Sequence, residues 1–303
     1  RIALYNEEDL FRFYIPNLKL GKRISSPLRQ DSDPSFSVYE SYTGSILYHD
    51  FKTGETGNLI KFVMNLYGIS YIQAMRRIVN DATHGSKVLE TKKERHISSV
   101  TKKEIKVIVR PFGDKDLMYW EGYGIRKRTL EAYGVAALEA VFLQGELIAE
   151  YKTSQPVYGY YMGEGEWKIY KPFSIQRFYT NTNKLQGYAQ LPKDGDLLII
   201  TKSMKDVMTL RELGYNAVAP HSESVKILKE IDELKSRFKE VIIWFDNDEP
   251  GTLGAIALSE ILNIPFVLLP NTQHAKDISD YYKANGYEAS KQIAASIVCQ
   301  LNV

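Results

Sequence analysis

The apolar positions of the C-terminal third fall into short unbroken runs separated by stretches of helical spacing. Residues 241–245 (VIIWF) form one such run, closed by the turn residues of DNDEPG. This is the pattern of a strand buried on both faces. Residues 197–201, 217–219 and 265–269 repeat it. Between them, residues 204–213 carry Val207, Leu210 and Leu213 on one helical face, with Gly214 placed to end the helix. Residues 252–261 read as a further helix. Strands and helices alternating through short connections predict a parallel sheet covered on both faces.

Earlier in the chain the pattern changes. Residues 71–80 predict a helix with Ser70 as N-cap, Ile72, Met75 and Ile78 inward, and Arg76 and Arg77 outward. Residues 116–135 read as a helix, a glycine turn and a second helix. Tyr160, Trp167, Ile169 and Tyr170 alternate with charged residues and Gly, as in a β-hairpin or meander. Residues 87–106 carry seven Lys/Arg against three Glu and few large apolar residues. They are read as a solvated tether that can add phosphate attraction. The expected organisation is a small domain over 1–84, a basic linker over 85–105, an α+β segment over 106–193 and an α/β domain over 194–303.

Composition narrows the class without naming a chemistry. At 303 residues, 44% hydrophobic and 25% charged, the chain reads as two or three globular domains. Apolar runs are too short to span a bilayer, so no membrane partner is expected, and the location expected is cytoplasmic. The single cysteine excludes an internal disulfide and suits a reducing compartment. The chain opens RIALYNEEDLF with no signal-peptide pattern, and the lack of an initiator Met suggests a processed or artificial start. A net charge of +2 says little about nucleic acid; the distribution matters more.

Candidate chemistry concentrates where the 241–245 run ends. Asp246 and Asp248 stand one residue apart there, at the strand edge where open α/β sheets bind ligands. Two hard oxygen ligands suit Mg²⁺, with Mn²⁺ as a substitute. An Asp/Asn/Gly turn capping the next helix is the competing reading. In the middle segment, Lys168, Lys171, Arg177 and Lys184 interleave with Tyr170, Phe173, Phe178 and Tyr179. Cations beside aromatics suit a single-stranded template or nucleotide. An aromatic β core with solvated lysines is the alternative. The P-loop pattern is absent, so no helicase motor is read in this chain.

Two segments carry a family resemblance. Residues 194–297 resemble a TOPRIM domain, the metal-binding module of bacterial-type (DnaG-type) primases, topoisomerases and some nucleases. The chain keeps Asp206-Val207, Asp246, Asp248, Gly251 and Lys276-Asp277 of that pattern. The family Glu-Gly falls on Lys202-Ser203, a charge reversal at an acid position. Residues 26–78 resemble the zinc ribbon that opens those primases, keeping Pro34-Ser35-Phe36-Ser37-Val38, Gly57, Ile60, Phe62 and Ala74. Its four metal positions fall on Ser26, Arg29, Asp50 and Thr53, none of which supplies the thiolate or imidazole of a structural zinc site. A zinc-free ribbon held by Phe36, Val38, Leu47, Phe51, Ile60 and Phe62 is therefore expected.

The resemblance implies an enzyme of phage or mobile-element replication that makes RNA primers on single-stranded DNA from nucleoside triphosphates, with a replicative helicase as partner. Asp246 and Asp248 would hold Mg²⁺, Lys276 and Asp277 would shape the phosphate end, and Lys168, Lys171 and Arg177 would track template or nucleotide. Glu223 would replace the lost acid as a catalytic and metal-binding residue, with Lys202 beside it. In the bland alternative Ser222 or Ser224 caps a helix and Glu223 favours its N-terminus. A catalytically silent replication accessory and a TOPRIM nuclease are the other functions considered.

Overall fold

In a computed structural model of the chain, the described residues are 7–41, 45–84, 104–220, 230–270 and 275–299. Alternation in the first strands sets the small N-terminal unit. Strands β1 (Arg23–Ile24), β2 (Phe36–Glu40), β3 (Ile46–Asp50) and β4 (Thr56–Gly57) pair antiparallel in that order. Phe36 and Val38 of β2, and Ile46, Tyr48 and Asp50 of β3, face inward. Helices α1 (Glu7–Tyr14), α2 (Leu59–Tyr67) and α3 (Tyr71–His84) accompany the sheet. Asn58 caps α2 by accepting from the Lys61 amide, and Gly68 ends it at φ 61°.

The core of this unit differs from the expected set in two places. Phe36, Val38, Ile60 and Phe62 are buried as expected, joined by Phe11, Leu18 and Tyr48. Leu47 is only half-buried and Phe51 is 46% exposed. The two-residue period of β3 places Tyr48 inward and so turns Leu47 outward. Phe51 begins the turn after the strand, and the Arg23 guanidinium covers its ring at 3.9 Å.

Residues 102–303 form a separate unit. Its first sheet is antiparallel, ordered β10-β9-β8-β6-β5 with β7 paired to β6. The strands are β5 (Ile105–Arg110), β6 (Val135–Leu143), β7 (Glu146–Glu150), β8 (Val157–Tyr161), β9 (Trp167–Tyr170) and β10 (Phe178–Thr180). The expected hairpin or meander is β8–β9–β10. The helix pair read at 116–135 is α4 (Asp114–Glu121) and α5 (Lys127–Ala132). The last residue of the expected linker, Ile105, is the first of β5; residues 85–103 lie outside the described residues.

The second sheet is parallel, ordered β12-β11-β13-β14: β11 (Gly195–Ile200), β12 (Asn216–Val218), β13 (Phe238–Trp244) and β14 (Phe266–Val267). Its helices are α6 (Met204–Glu212), α7 (Ile231–Arg237), α8 (Glu249–Leu262) and α9 (Ile278–Cys299), the last broken at Gly286, where φ is 76°. One core joins both sheets, with Trp120, Tyr158 and Tyr160 packed in the same cluster as Ile199, Val207, Trp244 and Ile278. The boundary expected at 193/194 therefore runs through shared packing. Among the described residues no helix is long and apolar enough to cross a membrane.

Candidate metal centre

Three chain segments deliver carboxylates to the C-terminal edge of the parallel sheet. Asp246 stands two residues past the end of β13. Asp206 sits in the first turn of α6, whose N-cap Ser203 accepts from the Asp206 amide at 3.1 Å and donates its hydroxyl to Asp206 Oδ2. Asp277 precedes α9 and accepts at 2.7 Å from both the Asp280 amide and the Ser279 hydroxyl. The Ser279 amide also reaches Asp206 Oδ1 at 3.4 Å, linking the two helix starts. One carboxylate oxygen from each of Asp206, Asp246 and Asp277 lies within 4.8 Å of the others.

Such convergence is costly without a cation. Asp206 is 1% exposed, and Asp246 and Asp277 are 7% exposed. Burial first, then the charge of Asp277, pushes the Asp206 carboxyl well above the usual carboxylate range. Lys205 and the Ser203 hydrogen bond only partly oppose this. Asp246 is raised by burial and by Asp277, against Lys276 and Lys202. Desolvation and like-charge repulsion thus outweigh two helix N-termini and three lysines. A buried excess of hard oxygen charge is what a divalent cation neutralises, so these residues fit Mg²⁺ or Mn²⁺.

The lysines frame the cluster. Lys276 Nζ lies 3.2 Å from Asp246 Oδ2. Lys205 Nζ lies 3.2 Å from Asp280 Oδ1 and 4.1 Å from the centre of the Tyr123 ring. Lys202 is half-buried beside Phe245 and lowers the Asp246 carboxyl. The charge reversal read at position 202 thus places a cation within electrostatic reach of the metal edge.

The sequence readings of this edge change in several respects. Asp206, expected only as a motif residue, and Asp277, expected only at the phosphate end, both belong to the carboxylate trio. The signal for Asp206 was its place three residues after Ser203 at the start of a predicted helix, which is capping-box spacing. Asp248 is the N-cap of α8, accepting from the Gly251 amide at 2.8 Å, as the competing turn reading described. It stands outside the trio, although its charge reaches Lys276. Glu223, with the flanking Ser222 and Ser224, lies outside the described residues.

Asn247 carried no expected role and has a clear one. Its amide donates to the Lys276 carbonyl at 2.8 Å, and its side-chain Nδ2 donates to the Ala275 carbonyl at 3.1 Å. Asn247 therefore fastens the segment that bears Lys276 and Asp277 to the end of β13. Gly251 tightens the same turn, because a Cβ there would stand 2.2 Å from the Asp246 carbonyl oxygen. Gly251→Ala is expected to destabilise the protein by about 1–3 kcal/mol and to weaken Mg²⁺ binding. Chemical unfolding with metal titration checks this; wild-type values for both would mean that the turn relaxes freely.

The cation–aromatic hairpin divides. Arg177 is exposed, and Lys171 is half-buried with Nζ 4.9 Å from the centre of the Tyr179 ring. Lys168 is only 8% exposed, with Nζ 4.9 Å from the centre of the Phe178 ring, and burial lowers its pKa to about 8. Neither an outer solvated face nor an open template groove describes it. The strand is covered on both faces, since the successive residues Lys168, Ile169 and Tyr170 of β9 are all buried. The hairpin is electrically near the carboxylates, since Tyr160 feels the charge of Asp206, and Tyr170 feels both Lys205 and Arg177.

Comparison with known proteins adds two family matches and distant relatives. Residues 9–95 match the family model described as CHC2 zinc finger, and residues 196–268 match the Toprim domain. The chain is 24% identical to a DNA primase of Thermotoga maritima over 92% of its own length and 58% of that protein. It is 22% identical to a DNA primase of Clostridium acetobutylicum over 90% of its length and 53% of that protein. It thus spans little more than half the length of these curated relatives. A crystal structure of the Aquifex aeolicus primase, comprising zinc-binding and RNA polymerase domains, aligns with a TM-score of 0.44. Identity is 16% over 96% of this chain and 83% of that one.

Proposed function

We propose that this chain, a member of the bacterial-type (DnaG-type) primase family, makes RNA primers on single-stranded DNA by divalent-metal-dependent nucleotidyl transfer. The observation that carries the reading is the trio Asp206, Asp246 and Asp277 at the edge of the Toprim sheet. When bound there, Mg²⁺ supplies charge neutralisation for triphosphate oxygens, the dominant need of phosphoryl-type transfer. In the reaction a 3′-hydroxyl oxygen bonds to the α-phosphorus of the incoming ribonucleotide and pyrophosphate leaves.

The chain's own residues have distinct tasks in this reading. Asp206, Asp246 and Asp277 would hold the cation, while Ser203, Ser279 and Asn247 fix their positions. Lys276, half-exposed beside Asp246, is the cation best placed to meet a phosphate. Lys202 and Lys205 limit the negative charge when no substrate is present. Lys171 and Arg177 bring positive charge to template phosphates, with Tyr179 and Phe173 as stacking surfaces. A replicative helicase is the partner class that the family suggests.

The test uses labelled ribonucleotides, a panel of single-stranded DNA templates, and Mg²⁺, Mn²⁺ or chelator. Template-dependent oligoribonucleotides formed only with metal are expected. A second reading, a nucleic-acid-binding accessory without catalysis, is favoured by the lysine at position 202. It would be adopted if single-stranded DNA bound but no template or metal gave product. The Lys171→Ala/Arg177→Ala pair should lower the salt slope of DNA binding by about 1.4, at roughly 0.7 per single-strand phosphate contact. Titrations at several salt concentrations measure it, and an unchanged slope would move the binding surface elsewhere.

A further inference from the structure

The N-terminal unit matches a zinc-finger family, yet the four positions where that resemblance places ligands are already occupied with one another. The alternation of β3 points Asp50 inward, where it is 1% exposed. Its Oδ2 accepts from the Ser26 hydroxyl at 3.0 Å. Its Oδ1 accepts from Arg29 Nη2 at 2.9 Å and from the Lys52 and Thr53 amides at 3.0 and 3.3 Å. Arg29 continues the network. Its Nη2 donates to Ser35 Oγ at 2.7 Å, and its Nη1 lies 2.9 Å from Asp31 Oδ2. Asp31 in turn accepts from the Ser26 amide at 3.0 Å and from the Ser35 hydroxyl.

These residues do not fit zinc. A tetrahedral structural site needs thiolates or imidazoles with free lone pairs. Here the lone carboxylate among the four positions, Asp50, has both oxygens engaged. Beside it stands the positive charge of the Arg29 guanidinium. A divalent cation would have to displace four hydrogen bonds and would then face Arg29.

We propose that this ion-paired network is the cross-link of the N-terminal unit and does the mechanical task of a metal there. The task is loop closure. Ser26, Arg29, Asp31 and Ser35 lie on the connection from β1 to β2, while Asp50 ends β3 and Lys52 and Thr53 lie on the turn from β3 to β4. Joining these two connections across the sheet orders both. The geometry is suited to it, because one planar guanidinium spans two carboxylates and one carboxylate gathers four donors. The proposal does not depend on catalysis and stands or falls without it.

The experiment uses the full chain and three readouts. Elemental analysis should find far less than one zinc per chain, and a strong chelator should leave the melting profile unchanged. Hydrogen exchange over residues 26–62 should accelerate at least about tenfold in Arg29→Met and in Asp50→Asn. The double variant should accelerate little beyond the worse single one, because the two residues act through one shared network. Stoichiometric zinc with chelator-induced melting in the wild type overturns the proposal. So do single variants with wild-type protection, or effects of the two changes that simply multiply. Should either variant fail to fold, the zinc and chelator measurements on the wild type still decide.

Discussion

Asp246→Asn is expected to abolish Mg²⁺-dependent primer synthesis, lowering the rate at least about a thousandfold, and to remove Mg²⁺ binding while leaving the fold intact. The size follows from the chemistry: neutralising transition-state charge contributes several kcal/mol, and each 1.4 kcal/mol or so is tenfold in rate. Asparagine keeps the shape and can still accept from Lys276, but it removes the charge that a hard cation requires. Folding should not suffer, because Asp246 is a carboxylate held against burial and repulsion. Asp248→Asn provides the contrast. Asparagine is as good an N-cap as aspartate, so stability should hold. A loss as deep as that of Asp246→Asn would show that the second oxygen of Asp248 also serves the metal. Activity is read by ribonucleotide incorporation and binding by calorimetry. A fully active Asp246→Asn enzyme would reject the trio as a catalytic centre.

The parallel sheet was legible because its strands are short, fully apolar and separated by helices of clear period. Residues 241–245 show this most plainly, since burial on both faces leaves no polar alternation to misread. The location of the site at the end of that run was legible for the same reason. Its membership was less so. Asp206 and Asp277 are 71 residues apart in sequence and meet only because β11 and β13 are neighbours and α9 returns beside α6. D-x-D spacing drew attention to Asp248, which the local turn uses as a cap. The antiparallel sheet hid its neighbours too. Lys168 alternates with aromatics as a solvated lysine would, yet it is buried, with its Nζ near the Phe178 ring of β10. At the N-terminal unit the missing ligands were plain in the sequence. The Arg29–Asp50 pair was not, because its partners lie 21 residues apart and no local motif joins them.

Asp206→Asn should separate stability from function in the opposite direction to most core changes. Asp206 is buried among like charges, and its carboxyl is held well above the ordinary range by burial and by Asp277. The folded, metal-free protein therefore binds a proton that the unfolded chain releases above about pH 4. Stability from this group is full below that pH and is lost progressively as the pH rises towards the raised folded value. At neutral pH the wild-type apo protein bears that cost, and asparagine removes it. Each tenfold change in proton affinity is worth about 1.4 kcal/mol, and a domain of this size gains about 2–4 °C per kcal/mol. The variant should thus melt a few degrees higher than wild type at pH 7.5 without metal, and the advantage should vanish near pH 4. Mg²⁺ should reverse the order, because a cation that binds only the folded wild type stabilises it by mass action. Melting curves at several pH values, with Mg²⁺ or chelator, give these comparisons. A variant less stable than wild type at every pH without metal would show that the hydrogen bonds from Ser203 and Ser279 outweigh the repulsion. In that case the carboxylates are held together by their donors, and no stored repulsion is available to drive metal binding.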